Sequence, residues 1–202
     1  MLKKNAYDFL IRCLSDEVIR SPRPFSWFKT IHCGLKCADR RFYFWYRIWG
    51  YIYKTNTGFI HKFSMKRLNR LNHQYAIDIA PDAVIGEGFR IRHFPGIVIR
   101  PGCIIGKKVV LRQNTTIGSK TFNGEGTVII GDHVDIGANS FILGDINIGS
   151  NVTIGAMSFI DKDIPDNHTV YTVKSNKTYL TKNMDNQQSA ISNQQSAITT
   201  II

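Results

Sequence analysis

An aliphatic residue returns at every sixth position through the middle of this 202-residue chain. Ile79, Ile85, Ile91 and Ile97 form one series, and Ile99, Ile105, Leu111 and Ile117 a second. Ile130, Ile136, Ile142, Ile148, Ile154 and Ile160 form a third. Glycine follows many of them, as at Gly86, Gly106, Gly118, Gly131, Gly137, Gly149 and Gly155. A period of six matches neither the helical period of 3.6 nor the two-residue alternation of an ordinary strand. It predicts a mainly β fold, a left-handed parallel β-helix of hexapeptide repeats. Each repeat makes one face of a triangular prism, with its aliphatic side chain stacked inside on the counterpart one coil away. Burying one isoleucine stabilises by roughly 1.5–3 kcal/mol, so a ladder of them can hold a narrow prism together. The glycines read as corner residues, where a positive φ is often required.

The breaks in phase carry information of their own. The first and second series differ in register by two residues, around Gly96 to Pro101. Thirteen residues separate Ile117 from Ile130, and the polar, glycine-bearing stretch between them reads as a loop leaving the prism at 118–128. Residues 75–164 are therefore expected to form the β-helix. Residues 1–74 form a basic, aromatic-rich helical region, and 165–202 a C-terminal extension whose tail, from about residue 183, is expected to be disordered. That tail holds the tandem repeat Asn186 to Ser192 and Asn193 to Thr199, to which no chemistry is assigned.

The formal charge of +11 is uneven: residues 1–74 carry all of the excess, and the remainder is balanced. A basic surface attracts acidic polysaccharide, membrane headgroups or nucleic acid. No nucleic-acid motif accompanies the charge, so a nucleic-acid partner is not expected. The run Phe42 to Tyr53 is crowded with aromatics and flanked by Arg40, Arg41 and Lys54. That pattern suits helix or subunit packing, and it also suits peripheral contact with a membrane. No stretch is long and apolar enough to span a bilayer, and the N-terminus lacks the apolar core of a secretion signal. Cys13, Cys33, Cys37 and Cys103 suggest no disulfide framework, and Cys33 and Cys37 with His32 read as helix-face residues rather than a metal site. A cytoplasmic setting is expected, with association at the inner face of the plasma membrane as the alternative.

Of six histidines, only His93 and His133 fall within the repeats. His93 stands two positions after Ile91, just before the first phase break. Asp78 lies fifteen residues earlier. With a coil of about eighteen residues, that spacing places the two on adjacent coils near one corner. A carboxylate there can hold the imidazole tautomer and leave its other nitrogen free as a general base.

The segment from Asp78-Ile-Ala-Pro through Ile-Arg-His93-Phe-Pro-Gly-Ile-Val resembles the corresponding segment of bacterial serine acetyltransferases. It is equally similar to the colanic-acid type of acetyltransferase that modifies cell-surface polysaccharides. Tyr46-Arg47 resembles a tyrosine–arginine pair in the helix before the prism of that family. The resemblance implies a hexapeptide-repeat O-acetyltransferase with acetyl-CoA as co-substrate and no metal. His93 would be the base and Asp78 its orienting partner. CoA would lie along the groove between neighbouring prisms of a homotrimer, or of a dimer of trimers. The matching CoA positions are Gly137, Ala138, Gly155 and Ala156, with Lys174 near the phosphates.

The departures bear on the acceptor. Serine acetyltransferases carry an aspartate before the histidine to bind the serine amine, and this chain has Arg92. Their extruded loop carries an Arg-His pair, and this one has neither residue. A guanidinium beside the base suits an anionic acceptor, and Arg90, Arg92 and Arg112 form a candidate cluster. The expected acceptor is thus a sugar hydroxyl of a capsular, O-antigen or exopolysaccharide, an acidic polymer among them. Serine O-acetylation and a non-catalytic β-helix scaffold are the alternatives.

Overall fold

Three parallel sheets, built from strands of two or three residues, wrap around one another as the faces of a prism. The computed structural model describes residues 2–120 and 126–173. The first face carries Asp78–Ile79, Val98–Ile99, Thr116–Gly118, Phe141–Leu143 and Phe159–Ile160. The second carries Val84–Ile85, Ile104–Ile105, Val128–Ile130 and Ile146–Ile148. The third carries Arg90–Ile91, Val110–Leu111, Asp135–Ile136, Thr153–Ile154 and Thr169–Val170. The result is a left-handed parallel β-helix of about four turns. Lys174, loop residues 121–125 and the repeat tail lie outside the described residues.

Register explains the period and its breaks. Thr116 pairs with Val98, Asp135 with Thr153 and Phe141 with Phe159, each eighteen residues apart. The first coil is longer: Asp78 pairs with Val98, Val84 with Ile104 and Arg90 with Val110, each twenty apart. The coil bearing the loop takes twenty-five, from Ile104 to Ile129. Each pairing keeps the six-residue isoleucines stacked inside, and Ile79, Ile99, Ile117, Ile130 and Ile142 are at most 1% exposed.

Two sequence expectations need correction. Ile97 belongs to a different row from Ile79, Ile85 and Ile91. It sits two places before Ile99 in a second buried row with Ile77, Phe89, Val109, Val134 and Val152. The two-residue break therefore falls between Ile91 and Ile97, earlier than the Gly96 to Pro101 reading. The glycines that follow isoleucine are also not corner residues of positive φ. That conformation belongs instead to Lys108, His133, Asn139, Asn151 and Met157, two places further on, and to Asn114 at the equivalent corner after Arg112. The glycines are needed because coils touch there: a Cβ on Gly106 would lie 2.5 Å from the Gly131 carbonyl oxygen, and one on Gly86 2.5 Å from that of Gly106. Any side chain would push the coils apart.

Four helices precede the prism: α1 (Leu2–Leu14), α2 (Trp27–Lys36), α3 (Ala38–Thr55) and α4 (Gly58–Tyr75), with a π-helical turn, Ser15–Ile19, after the first. The first part of the aromatic run of α3 faces inward, and Trp45, Trp49, Tyr51 and Tyr53 are half-buried. Phe42, Tyr43, Phe44 and Tyr46 are buried, and Phe42 stacks on Tyr46 at 5.4 Å between ring centres. Packing accounts for the buried members of this run.

The helices also close the open end of the prism. A first coil has strand edges with no coil above them, and buried backbone groups demand partners. On the second face, Arg47 donates from Nη1 to the Ile85 carbonyl at 2.9 Å and from Nη2 to that of Gly86 at 2.6 Å. On the third, the Tyr43 hydroxyl accepts from the Ile91 N–H at 2.8 Å and donates to its carbonyl at 3.2 Å. On the first, Asn72 Nδ2 donates to the Ile79 carbonyl at 3.0 Å. Glu17 grips Arg47 with both oxygens at 2.8 and 2.6 Å and also accepts from the Phe89 N–H at 3.0 Å. Burial pushes the Glu17 carboxyl above its usual range, and Arg47 opposes that. Burial equally disfavours the charge on Arg47, but the Glu17 carboxylate outweighs it and keeps the guanidinium protonated.

Removing one partner of a buried ion pair leaves the other charge uncompensated, at a cost of about 3–5 kcal/mol. Arg47→Ala is expected to lose that much stability, read as a lower midpoint in urea. A Glu17→Leu/Arg47→Leu double replacement is expected to remain well below the parent, because the Ile85, Gly86 and Phe89 backbone groups lose their partners too. All four cysteines are free. Burial raises the Cys13 thiol to about 12, so almost none is thiolate at pH 8. Iodoacetamide is expected to label the half-exposed Cys37 in the native protein and Cys13 only after unfolding; native labelling of Cys13 would contradict the packing of α1.

Candidate active site

The two extra residues of the first coil lie in the turn Arg92 to Gly96, and His93 sits in it. The strand that follows, Val98–Ile99, lies against Asp78–Ile79. The turn thus returns the chain beside Asp78, whose N–H donates to the Ile97 carbonyl at 2.8 Å. Both side chains face solvent. No hydrogen bond or ion pair joins them among the described residues. Catalytic hydrogen bonds are often long in free enzymes and tighten with substrate.

The turn is held from three sides. Phe94, next to His93, packs its ring 4.9 Å from Phe42 and 4.8 Å from Tyr75. The Gly96 N–H donates to the Ala76 carbonyl at 2.8 Å, and the Asn114 N–H to the Pro95 carbonyl at 3.0 Å. Gly96 has φ of +75°, and a Cβ there would run into the Asn114 side chain, so glycine is required on both counts. His93 is presented on a short excursion pinned to α3, to the end of α4 and to the next coil.

Three of the other histidines have structural explanations. His133 occupies a left-handed corner position. His61 pairs with the Tyr53 carbonyl and His168 with that of Asp166. Among the described residues, no group of three or more His, Cys, Asp or Glu side chains could hold a metal.

The three candidate arginines separate. Arg112 forms a two-toothed ion pair with Asp135 and also donates to the Ile136 carbonyl at 3.1 Å. Its charge is already compensated, and that pairing keeps its guanidinium more firmly protonated. Arg90 and Arg92 line an open cleft between the third face and the π-helical turn. The positions matched to CoA stack at one edge of the prism, where the Gly137 N–H donates to the Ile154 carbonyl and the Met157 N–H to that of Ala138, both at 2.8 Å. The space a Cβ would need at Gly137 is filled by the backbone of Gly155 and Ala156. Coil contact therefore explains that glycine without a ligand, and Ala138, Gly155 and Ala156 are the small residues that reach the surface. Sequence reasoning missed Glu17, Tyr43 and Asn72, which brace the site from behind.

No family model matches the chain. It is 45% identical over 98 residues to chloroplastic serine acetyltransferase 1 of Arabidopsis thaliana, a match covering 48% of this chain and 31% of that protein. It is 37% identical over 101 residues to a putative colanic acid biosynthesis acetyltransferase of Escherichia coli, covering 50% of this chain and 62% of the relative. The solved soybean serine acetyltransferase apoenzyme superimposes with a TM-score of 0.65 at 26% identity, over 84% of this chain and 67% of that one. The chain resembles the hexapeptide-repeat acetyltransferases. It spans less than two thirds of the length of the curated relatives it matches.

If Phe94 anchors the turn, Phe94→Ala loosens it locally. Amide hydrogen exchange is expected to quicken at Gly96 and Asn114 and to stay unchanged at Ile136 and Ile154, deep in the prism. Uniform protection across all four would detach Phe94 from the positioning of His93.

Proposed function

We propose that this protein is an acetyl-CoA-dependent O-acetyltransferase with His93 as general base and Asp78 as the carboxylate that orients it. The observation that carries this reading is the placement of His93 in a pinned turn beside the Asp78 strand, on a prism that resembles the serine acetyltransferases. In this reading the His93 imidazole accepts the proton of the acceptor hydroxyl as its oxygen bonds to the thioester carbonyl carbon. The C–S bond breaks, and the proton passes to the departing CoA thiolate. Small surface residues at Ala138 and Ala156 suit close approach of the pantetheine arm to the backbone, and Lys174 is the proposed phosphate contact.

Serine is the acceptor the comparisons favour, since serine acetyltransferases predominate among the relatives and the solved neighbours. A sugar hydroxyl of a surface polysaccharide is the second reading. It is supported by the uncompensated Arg92 before the base and by the colanic-acid relative. Assembly into trimers is part of the proposal. The outward residues Val84, Ile104 and Ile129 stack in register on the second face at 50%, 41% and 39% exposure, and Phe141 lies beside Phe159 on the first. Apolar stripes of this kind are normally covered. Among the described residues no helix is long and apolar enough to cross a membrane.

CoA release from acetyl-CoA, read by thiol titration, tests the reaction with L-serine and with acidic and neutral glycans as separate acceptors. His93→Ala is expected to lower turnover by about 10²–10⁴-fold, and Asp78→Asn by less. Full transfer by His93→Ala would remove the base assignment and leave the scaffold reading. Release with serine alone, or with glycans alone, decides the acceptor.

A further inference from the structure

The cleft between the third face and the π-helical turn spans about 640 Å³, within the usual range for small-molecule sites. Its cations are Arg20, Arg90, Arg92 and Lys108, and its one acid is Asp16. Arg20 is spoken for: it pairs with Asp39 at 2.7 Å and donates to the Glu17 carbonyl at 2.9 Å. Arg90, Arg92 and Lys108 have no carboxylate within ion-pair distance among the described residues. Three uncompensated cations thus face one cleft against a single carboxylate.

Their placement follows from the coil. Arg90 projects outward from its strand because Ile91 projects inward, and its register partner is the outward Val110. Lys108 takes the left-handed corner beneath Gly88, with its N–H on the Glu87 carbonyl at 2.8 Å, which turns it toward the same side. The π-helical turn supplies the opposite wall and ends at Arg20, itself left-handed with φ of 51°. The cleft ends at Arg92, one residue before the proposed base. Like charges held together without partners repel one another, and an anion between them relieves that repulsion.

We propose that this cleft is an anion subsite that holds the carboxylate or phosphate of the acetyl acceptor while its hydroxyl reaches His93. The inference rests on the O-acetyltransferase reading and concerns its acceptor. Guanidinium groups receive carboxylate and phosphate oxygens in paired hydrogen bonds, and Lys108 adds a point charge. Carboxylate and phosphate arise from an amino acid or from an acidic or phosphorylated sugar, and all three are probes.

The experiment is calorimetric titration of the full chain, without acetyl-CoA, with L-serine, serinamide, glucuronate, glucose 1-phosphate and glucose. At least one probe bearing a carboxylate or phosphate is expected to bind about tenfold or more tightly than its counterpart without that group, serinamide or glucose, and to weaken with added salt. Arg92→Gln and Arg90→Gln are each expected to weaken it by a similar factor. Lys108→Asn, which suits the left-handed corner, is expected to weaken it with the helical circular dichroism unchanged. A serine preference lost in these variants assigns the subsite to serine, and a sugar-anion preference lost in them assigns it to an acidic or phosphorylated glycan. Probes with and without the carboxylate or phosphate binding alike, or affinities indifferent to all three variants, overturn the proposal. Because binding is read without acetyl transfer, anion binding with no CoA release would fail the enzymatic reading and leave the subsite standing.

Discussion

A parallel coil cannot end without leaving strand edges unpaired, and the start of this prism is shaped by how that is resolved. Backbone groups buried without partners cost about 1–3 kcal/mol each, and the first coil presents several. The helices answer with side chains that imitate a missing coil: Asn72, Arg47 and Tyr43 reach one face each, and Glu17 takes the Phe89 N–H. Glu17 and Arg47 could not be buried for their own sake, because the desolvation of two charges is rarely repaid by their attraction alone. Here each charge also satisfies backbone groups of the prism, so the pair is the joint through which helices and coils become one unit, residues 1–172.

That joint was barely legible in the sequence. Arg47 stood out only through a resemblance, and Glu17 was one acid among many bases. Capping contacts carry no period, because each of the three edges is met by a side chain of its own, Tyr43 and Arg47 from α3 and Asn72 from α4. The prism itself was legible because every coil repeats the same demand. Its six-residue isoleucines mark the row that stacks deepest, and the three sheets follow from them. The companion row two places earlier escaped notice because it tolerates chemical variety. Phe89, Cys103, Val109, Thr115 and Ser140 all occupy it, and all are buried. What that row demands is concealment: Thr115 donates to the Arg112 carbonyl at 2.8 Å and Ser140 to the Gly155 carbonyl at 3.2 Å, and the buried Ser158 hydroxyl has no partner among the described residues.

The same distinction governs the glycines and the arginines. Glycine after isoleucine was visible, but its reason was not, since a close approach between coils and a positive φ leave the same letter in the sequence. Only register tells them apart, and register depends on coil lengths of twenty, twenty-five and eighteen residues. Arg92 and Arg112 likewise look alike in sequence. They follow neighbouring strands of one face, but Arg112 reaches Asp135, which lies opposite Val110 a coil further on, and Arg92 has no carboxylate within ion-pair distance among the described residues. Charge compensation in a solenoid is decided between coils, so a linear reading of charge overcounts the free cations.

The location of the proposed base follows from the same joint. A regular coil of eighteen residues has no room to project a mobile-looking but fixed side chain, since every corner is committed to stacking. Two inserted residues relieve that commitment at one corner only. An insertion deep in the prism would have had a coil on each side to hold it. At the first coil the upper neighbour is missing, and the aromatic core of α3 takes its place through Phe94. The helical region therefore contributes to the site twice: it seals the strand edges, and it supplies the rigid wall against which the His93 turn rests. A prism deprived of its helices would lose the orientation of that turn before it lost the lower coils, because the lower coils are braced by one another and the turn is braced by the helices.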